Sequence, residues 1–426
     1  MKKRLTVLFL TLLLCGCTAR NEPPAVQEPS AQPTPAPPPT TETPIESPQL
    51  PLNEPEVRDS LVLEENIATI TLSGQHSFDG LYLQGMNEGG TLNVSISDNN
   101  IYRQENDSTA RWCWLGQQDT NSLIIELPEH CNIDTQFKLS APSKGSENHL
   151  SAYLPHSSYS EQILNSEALR SLDELTVNTA CYWLADGSLE VKQNLSHIIE
   201  SIQTTYPDLD IFCTINPKKG GAAAIMSAES RQILIQSMTD FCQEHDLAGV
   251  DIDWEFPAED QWDEFSELIV ELSAALSKDS RSLSLAFYPE DVNLSPEAIK
   301  SIHKVNVMSY DQFDEQGRHS TYQTALDSID YFLSLGFDAA QLSLGIPAYG
   351  RPLSGEAAWP LYTDYAAQLC DGTNLLDNSY FNSPQLAQDK SLLARQEGLQ
   401  GVFLYHLGCD SYDENSLILA CADVLQ

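Results

Sequence analysis

From His149 onward, short apolar runs recur along the chain with helix-spaced segments between them. The strand candidates are HLSAYLP (149–155), LTVNTACYW (175–183), DIFCTIN (210–216), GVDIDWE (249–255), LSLAFY (283–288), KVNVMSY (304–310), QLSLGIPAY (341–349) and GVFLYH (401–406). Between them, apolar residues fall on one face at helical spacing: Ile233, Met238, Phe241 and Cys242; Trp262, Phe265, Ile269, Leu272 and Leu276; Ala325, Ile329, Phe332 and Leu333. Eight strands alternating with helices over 147–426 predict an α/β fold, a (β/α)8 TIM barrel. A doubly wound open sheet is the competitor, but no glycine-rich phosphate loop follows the first strand.

The preceding part of the chain has a different pattern. IATITL (67–72), LNVSIS (92–97) and SLIIEL (122–127) are short strand candidates separated by Gly, Asn and Asp clusters. A small all-β, sandwich-like domain is expected over 58–146. Trp112 and Trp114 would share one strand face there, either as core or as a sugar-stacking platform. Residues 18–57 are rich in Pro, Thr and Glu and cannot bury enough apolar surface to fold, which makes them a tether. Residues 1–17, MKKRLTVLFLTLLLCGC, pair a basic cluster with an apolar run too short to span a bilayer comfortably. The LCGC ending resembles a bacterial lipobox with Cys17 as the lipidated residue. The expectation is an exported, lipid-anchored or secreted protein, monomeric, touching membrane only through its anchor.

Charge narrows the partners. Sixty-one acids against 22 bases leave a formal charge of −39, which opposes nucleic acid binding and suits an uncharged sugar polymer. No C-x-x-C, H-x-H or H-E-x-x-H pattern occurs, so no zinc site is indicated, and no cofactor is implied. The even number of cysteines after Cys17 permits disulfides, although Cys181, Cys213 and Cys242 sit in apolar periodic segments that suit buried thiols.

One stretch breaks the bland pattern. In VDIDWEFP (250–257), Asp251, Asp253 and Glu255 alternate with Val250, Ile252 and Trp254. Side chains of a strand alternate between faces, so the three acids share one side, spaced about 6–7 Å apart, and the apolar residues share the other. In a barrel the acids would line the interior and climb toward the C-terminal mouth, where active sites sit. Val250, Ile252 and Trp254 would pack toward the helices, with Trp254, near the strand end, also a candidate sugar contact. Crowded, shielded carboxylates cannot all ionise, so at least one pKa rises, and a carboxyl group still protonated near neutrality suits general acid catalysis of glycosidic cleavage.

LAGVDIDWEFP (247–257) resembles the D-x-x-D-x-D-x-E signature of glycoside hydrolase family 18, the chitinase family. MSYD (308–311) and LGIPAYGR (344–351) resemble that family's sixth- and seventh-strand motifs. The resemblance implies a retaining, substrate-assisted mechanism on β-1,4-linked N-acetylglucosamine, one of the exceptions to the two-carboxylate scheme. It would make Glu255 the proton donor and later the base. Asp253 would orient the substrate acetamido group, Asp251 would modulate Asp253 by sharing a proton, and Tyr310 would donate to the acetamido carbonyl. Asp311, Tyr349 and Arg351 become candidate sugar contacts. Tyr405 stands where the family has the tryptophan floor of the cleaved sugar's site. Ala248 replaces the first aspartate, and Thr214-Ile215-Asn216-Pro217 replaces the third-strand S-x-G-G. Few residues separate Gly350 from the next helix, so a shallow, open cleft is expected. The same machinery leaves open an endo-β-N-acetylglucosaminidase acting on N-glycan cores, or a chitinase-like protein that binds glycan without cutting it.

Overall fold

Eight parallel strands close on themselves, because each expected apolar run forms one staves-like segment paired with its neighbours on both sides. They are His149–Pro155, Glu174–Trp183, Asp210–Pro217, Gly249–Ile252, Ser282–Phe287, Lys304–Val307, Leu342–Pro347 and Gly401–Tyr405. The ladder runs from the third strand to the eighth and then through the first and second, and the second pairs back onto the third. A short strand, Leu189–Val191, hangs antiparallel on the end of the second. This computed structural model describes residues 61–128, 137–142, 148–255 and 257–426. The basic leader, Cys17, the Pro-rich tether and Cys131 lie outside those residues.

The helices pack their apolar stripes against the barrel wall, and serine or threonine caps start most of them. Ser227, Ser295, Thr321, Ser383 and Ser416 each accept a bond from a first-turn backbone N–H, which satisfies a donor that the helix cannot. Two residues placed on buried faces are in fact exposed, Ile233 and Leu333. Leu234 and Phe332 take the buried positions beside them, since one residue is a 100° turn of the helix. Cys181, Cys213 and Cys242 are buried free thiols.

The all-β part is a small domain built on one hydrogen-bonded, six-stranded antiparallel sheet. Two long strands, Ile67–Gln84 and Ala110–Glu126, run through it and shift register at two irregularities. The short runs read from sequence at 67–72 and 122–127 are halves of these strands, because an irregular register interrupts the apolar alternation without ending the ladder.

Trp112 and Trp114 are core residues, not a sugar platform. Both are buried within the apolar cluster of the barrel, whereas Cys113 between them faces the sheet's own core. The Trp112 N–H donates to the Tyr322 hydroxyl (2.9 Å) and the Trp114 N–H to Asp389 Oδ1 (2.8 Å). Around them Arg111 is fully buried and ion-paired to Asp107 at 2.5 Å, with Asp389 3.9 Å from its Nε. Tyr102 and Tyr380 donate to Asp389 and Asp107. A buried cation surrounded by acceptors in this way ties the sheet to the helices Tyr322–Ser334 and Pro384–Gln396, and leaving any member unpartnered would be costly.

Candidate active site

The fourth barrel strand ends at Ile252, so only Asp251 of the three acids lies within the ladder. Beyond it, the Asp253 N–H donates to Asn216 Oδ1 (3.0 Å) from the third strand, and Glu255 reaches solvent at the mouth. The alternation holds past the strand end. Trp254 contacts the rings of Trp183 and Phe265, 5.8 and 5.1 Å away, on the helix side and away from the carboxylates. Its candidacy as a sugar contact is therefore corrected to a packing role.

Asp251 is completely buried and accepts four hydrogen bonds. Tyr153 Oη (3.1 Å) and Thr214 Oγ1 (2.8 Å) donate to its Oδ2, while Ser284 Oγ (2.5 Å) and Asn306 Nδ2 (3.3 Å) donate to Oδ1. These donors come from the first, third, fifth and sixth strands, so the carboxylate acts as a hub across the barrel interior. No hydrogen bond joins Asp251 to Asp253 among the described residues; the Asp251 charge is one of the influences that raise the Asp253 pKa. Asn306 also donates to Tyr153 Oη (2.8 Å).

Asp253 is the opposite case. Its Oδ1 is buried with no hydrogen-bond partner. Burial, then the Glu255 and Asp251 charges, raise its pKa to about 8, against a smaller opposing effect from Asn216. Burial and then Asp311 hold Glu255 above the usual carboxylate range as well. Glu255 thus combines access to an incoming ligand with a reluctance to ionise, the pairing a proton donor needs.

Aromatic rings close the interior above these acids. Tyr310 stacks on Tyr405 (5.8 Å between centroids, 25° between planes) and meets Tyr349 and Phe403 edge-on. Burial, Tyr405, Asp253, Asp311 and Glu255 push the Tyr310 hydroxyl well above its ordinary pKa, so it stays a proton-bearing donor. Tyr405 is raised to about 12 by burial first and Asp253 next, and it shares a hydrogen bond with Asn178.

Asp311, with φ of 62°, accepts from Tyr349 Oη (2.9 Å) and Arg351 Nη1 (2.7 Å). Burial still leaves its pKa raised, against the lowering effects of Tyr349 and Arg351. The Arg351 guanidinium lies over two half-exposed rings, Trp359 at 4.8 Å and Phe313 at 5.2 Å. Tyr349 also lies 4.5 Å from Trp359.

The structure thus gathers Glu255, Asp253, Asp251, Tyr310, Asp311, Tyr349, Arg351 and Tyr405 at one end of the barrel. Tyr153, Ser284 and Asn306 were not singled out from sequence, because isolated polar residues inside apolar runs carry no spacing signal. Phe313 and Trp359 lie in loops, where no periodicity marks them. Thr214 and Asn216 belong to the segment that departs from the family pattern, yet each bonds one aspartate of the row. Between Pro347 and the helix Pro384–Gln396 the chain forms only a three-stranded sheet of two-residue strands and two short helices, a compact excursion as expected.

A parallel barrel carrying an acid row and an aromatic wall at its C-terminal end defines the class of protein. The sequence model of the family described as "Glycosyl hydrolases family 18" matches residues 151–410, more than half of the chain. The protein belongs to that family. Among curated relatives, the probable chitinase 10 of Drosophila melanogaster is 29% identical over 158 residues, covering 30% of this chain and 7% of the relative. The chitinase-like protein Idgf4 of Glossina morsitans morsitans is 23% identical over 297 residues, covering 51% and 64%. The chain therefore spans less than two thirds of either relative. Among solved structures, the GH18 chitinase ChiB of Flavobacterium johnsoniae aligns with a TM-score of 0.60 at 21% identity, covering 66% of this chain and 94% of that one. A GH18 chitinase of Cycas revoluta in complex with (GlcNAc)3 aligns with a TM-score of 0.56 at 19% identity, covering 65% and 100%. These likenesses establish the barrel.

Proposed function

We propose that this protein hydrolyses β-1,4 bonds of N-acetylglucosamine-containing glycans, with retention and with the substrate's own acetamido oxygen as nucleophile. The observation that carries this reading is the contrast within the acid row: a fully hydrogen-bonded Asp251, an Asp253 with a raised pKa and an orphaned oxygen, and an accessible Glu255. An acetamido N–H donating to Asp253 Oδ1 would favour its anion. The proton retained by the row then resides on Glu255, over the glycosidic oxygen. Tyr310 donates to the acetamido carbonyl and aims its oxygen at the anomeric carbon. The acetamido oxygen forms a bond to that carbon as the glycosidic bond breaks, and the leaving oxygen takes the Glu255 proton. Glu255, now a carboxylate, deprotonates the incoming water, which opens the cyclic intermediate. The Cycas revoluta neighbour solved with (GlcNAc)3 supports this class of ligand.

The test is a parallel assay on chito-oligosaccharides, cello-oligosaccharides and a high-mannose glycopeptide, with NMR of the first-formed anomer. Cleavage of the chito-series as the initial β-anomer, with no comparable cleavage of the cello-series, is expected. An initial α-anomer would refute substrate assistance, and binding without turnover would place the protein with non-cutting members. Cleavage of the glycopeptide alone would redirect the reading to N-glycan cores. We further propose that the protein is exported and lipid-anchored through Cys17, which predicts incorporation of labelled fatty acid that Cys17→Ser abolishes.

A further inference from the structure

His319 is fully buried behind the mouth of the barrel and has no part in the reaction proposed above. It closes the loop that follows Asp311, where Phe313 and His319 pair antiparallel. The Phe313 and Tyr349 rings lie against the imidazole, with centroids 6.3 and 5.5 Å away and planes at 27° and 32°, so its orientation is fixed by packing. Nε2 lies 3.1 Å from the Tyr380 carbonyl oxygen, and Tyr380 is itself tied to the small sheet through its hydroxyl, which donates to Asp107 (2.6 Å). Among the described residues the other nitrogen, Nδ1, is buried without a hydrogen-bond partner, and it faces Asp311 Oδ1 at 3.6 Å.

This arrangement is one proton short. A neutral imidazole carries hydrogen on one nitrogen only, and a carbonyl oxygen can only accept. The hydrogen therefore belongs on Nε2, and Nδ1 keeps a bare lone pair. That lone pair faces the Asp311 carboxylate and the Tyr349 carbonyl, which would also accept from the ring. Acceptor against acceptor in a buried place is unfavourable, and one added proton between Nδ1 and Oδ1 removes the conflict. The surroundings assign it to the carboxyl group. Burial, then Lys390 and Arg351, lower the imidazole to about 3, whereas burial raises Asp311 against Tyr349 and Arg351. Lys390 is held beside the ring by Ser320 O (2.7 Å), Ser320 Oγ (2.8 Å) and Asn382 Oδ1 (2.7 Å). Burial lowers it only to about 7, so it is charged throughout the acid range.

We propose that His319 is a positioning residue for Asp311, and that the two take up one proton from water as a unit, carried on Oδ1 and donated to Nδ1. Arg351 and Tyr349 donate to the same carboxylate, Tyr288 Oη donates to its backbone carbonyl (3.1 Å), and its charge bears on Tyr310 and Glu255. Uptake weakens the Arg351 bond and removes the negative charge that acts on Glu255. The shared proton stands on geometry alone, while its effect on turnover rests on the glycan reading above.

The test follows the Asp311 carboxyl carbon and the His319 ring nitrogens of the wild-type protein by NMR through the acid range, with Asp311→Asn and His319→Gln to assign the signals. Above the transition, a protonated Nε2 and a bare Nδ1 are expected. Through it, Nδ1 should shift as a hydrogen-bond acceptor at the same midpoint as the Asp311 carbon, the ring staying neutral. Separate midpoints, a silent Nδ1 or a ring that becomes cationic would overturn the proposal. His319→Phe keeps the ring packing and removes both nitrogens, so it should lower the Asp311 midpoint by about one pH unit. An unchanged or raised midpoint in that folded variant overturns the pair, and if it does not fold the wild-type spectra decide. Wild-type kcat/KM should inflect at the shared midpoint, and Asp311→Asn should lose the inflection. Turnover without it overturns the link to Glu255. Absence of all turnover is instead a failure of the glycan reading, and the spectra still judge the shared proton.

Discussion

Asp251 and Asp253, two residues apart on one wall of the barrel, are treated in opposite ways. The first accepts four hydrogen bonds, and the second has an oxygen buried with no partner. A fold that fully satisfies one carboxylate and leaves its neighbour unsatisfied has not maximised its stability there. In the proposed reaction the unsatisfied oxygen receives the substrate's acetamido N–H.

Replacing Glu255 with Gln removes the proposed proton donor while keeping the shape. Turnover should fall by at least about 10²-fold, while oligosaccharide binding stays measurable by calorimetry. Near-normal turnover would remove Glu255 from the role.

Asp253→Asn should stabilise the protein in a pH-dependent way. The unfolded carboxyl ionises near pH 4, whereas the folded one holds its proton to about pH 8. Between those values the folded state binds more protons than the unfolded state, so wild-type stability declines as pH rises. Melting temperatures of mutant and wild type should therefore agree below about pH 4, diverge in favour of Asn through the window, and stay apart above about pH 8. Wild-type kcat/KM should fall on an alkaline limb as Glu255, held above the usual carboxylate range, loses its proton.

Thr214→Val removes one of the four donors to Asp251 at nearly constant volume. Underbonding a buried carboxylate should cost about 1–3 kcal/mol, read from urea unfolding, and Thr214→Ser should restore it. No change would show that the remaining donors compensate.

Arg111→Ala strips the cation from Asp107 and Asp389 at the seam. Burial already raises Asp389 to about 7 despite Arg111, so without the arginine both carboxyls keep their hydrogen bonds but lose their ion-pair partner in a buried place. A loss of about 3–5 kcal/mol is expected. A much smaller loss would mean that the sheet and the barrel do not depend on this contact.

The chain's own pattern determined the barrel and the acid row. Alternation of apolar and polar residues is a local property, so eight strands could be read from runs of six to nine residues, and the acids had to share a face. The same local rule could not show that the small sheet is continuous, because an irregular register interrupts the alternation while the ladder goes on. Nor could it tell a tryptophan pair facing a barrel from one facing solvent. Tertiary structure alone decided which carboxylate is satisfied. The four donors to Asp251 come from four strands, 33 to 98 residues away in sequence, and hydrogen bonds of that span leave no spacing for a sequence to display.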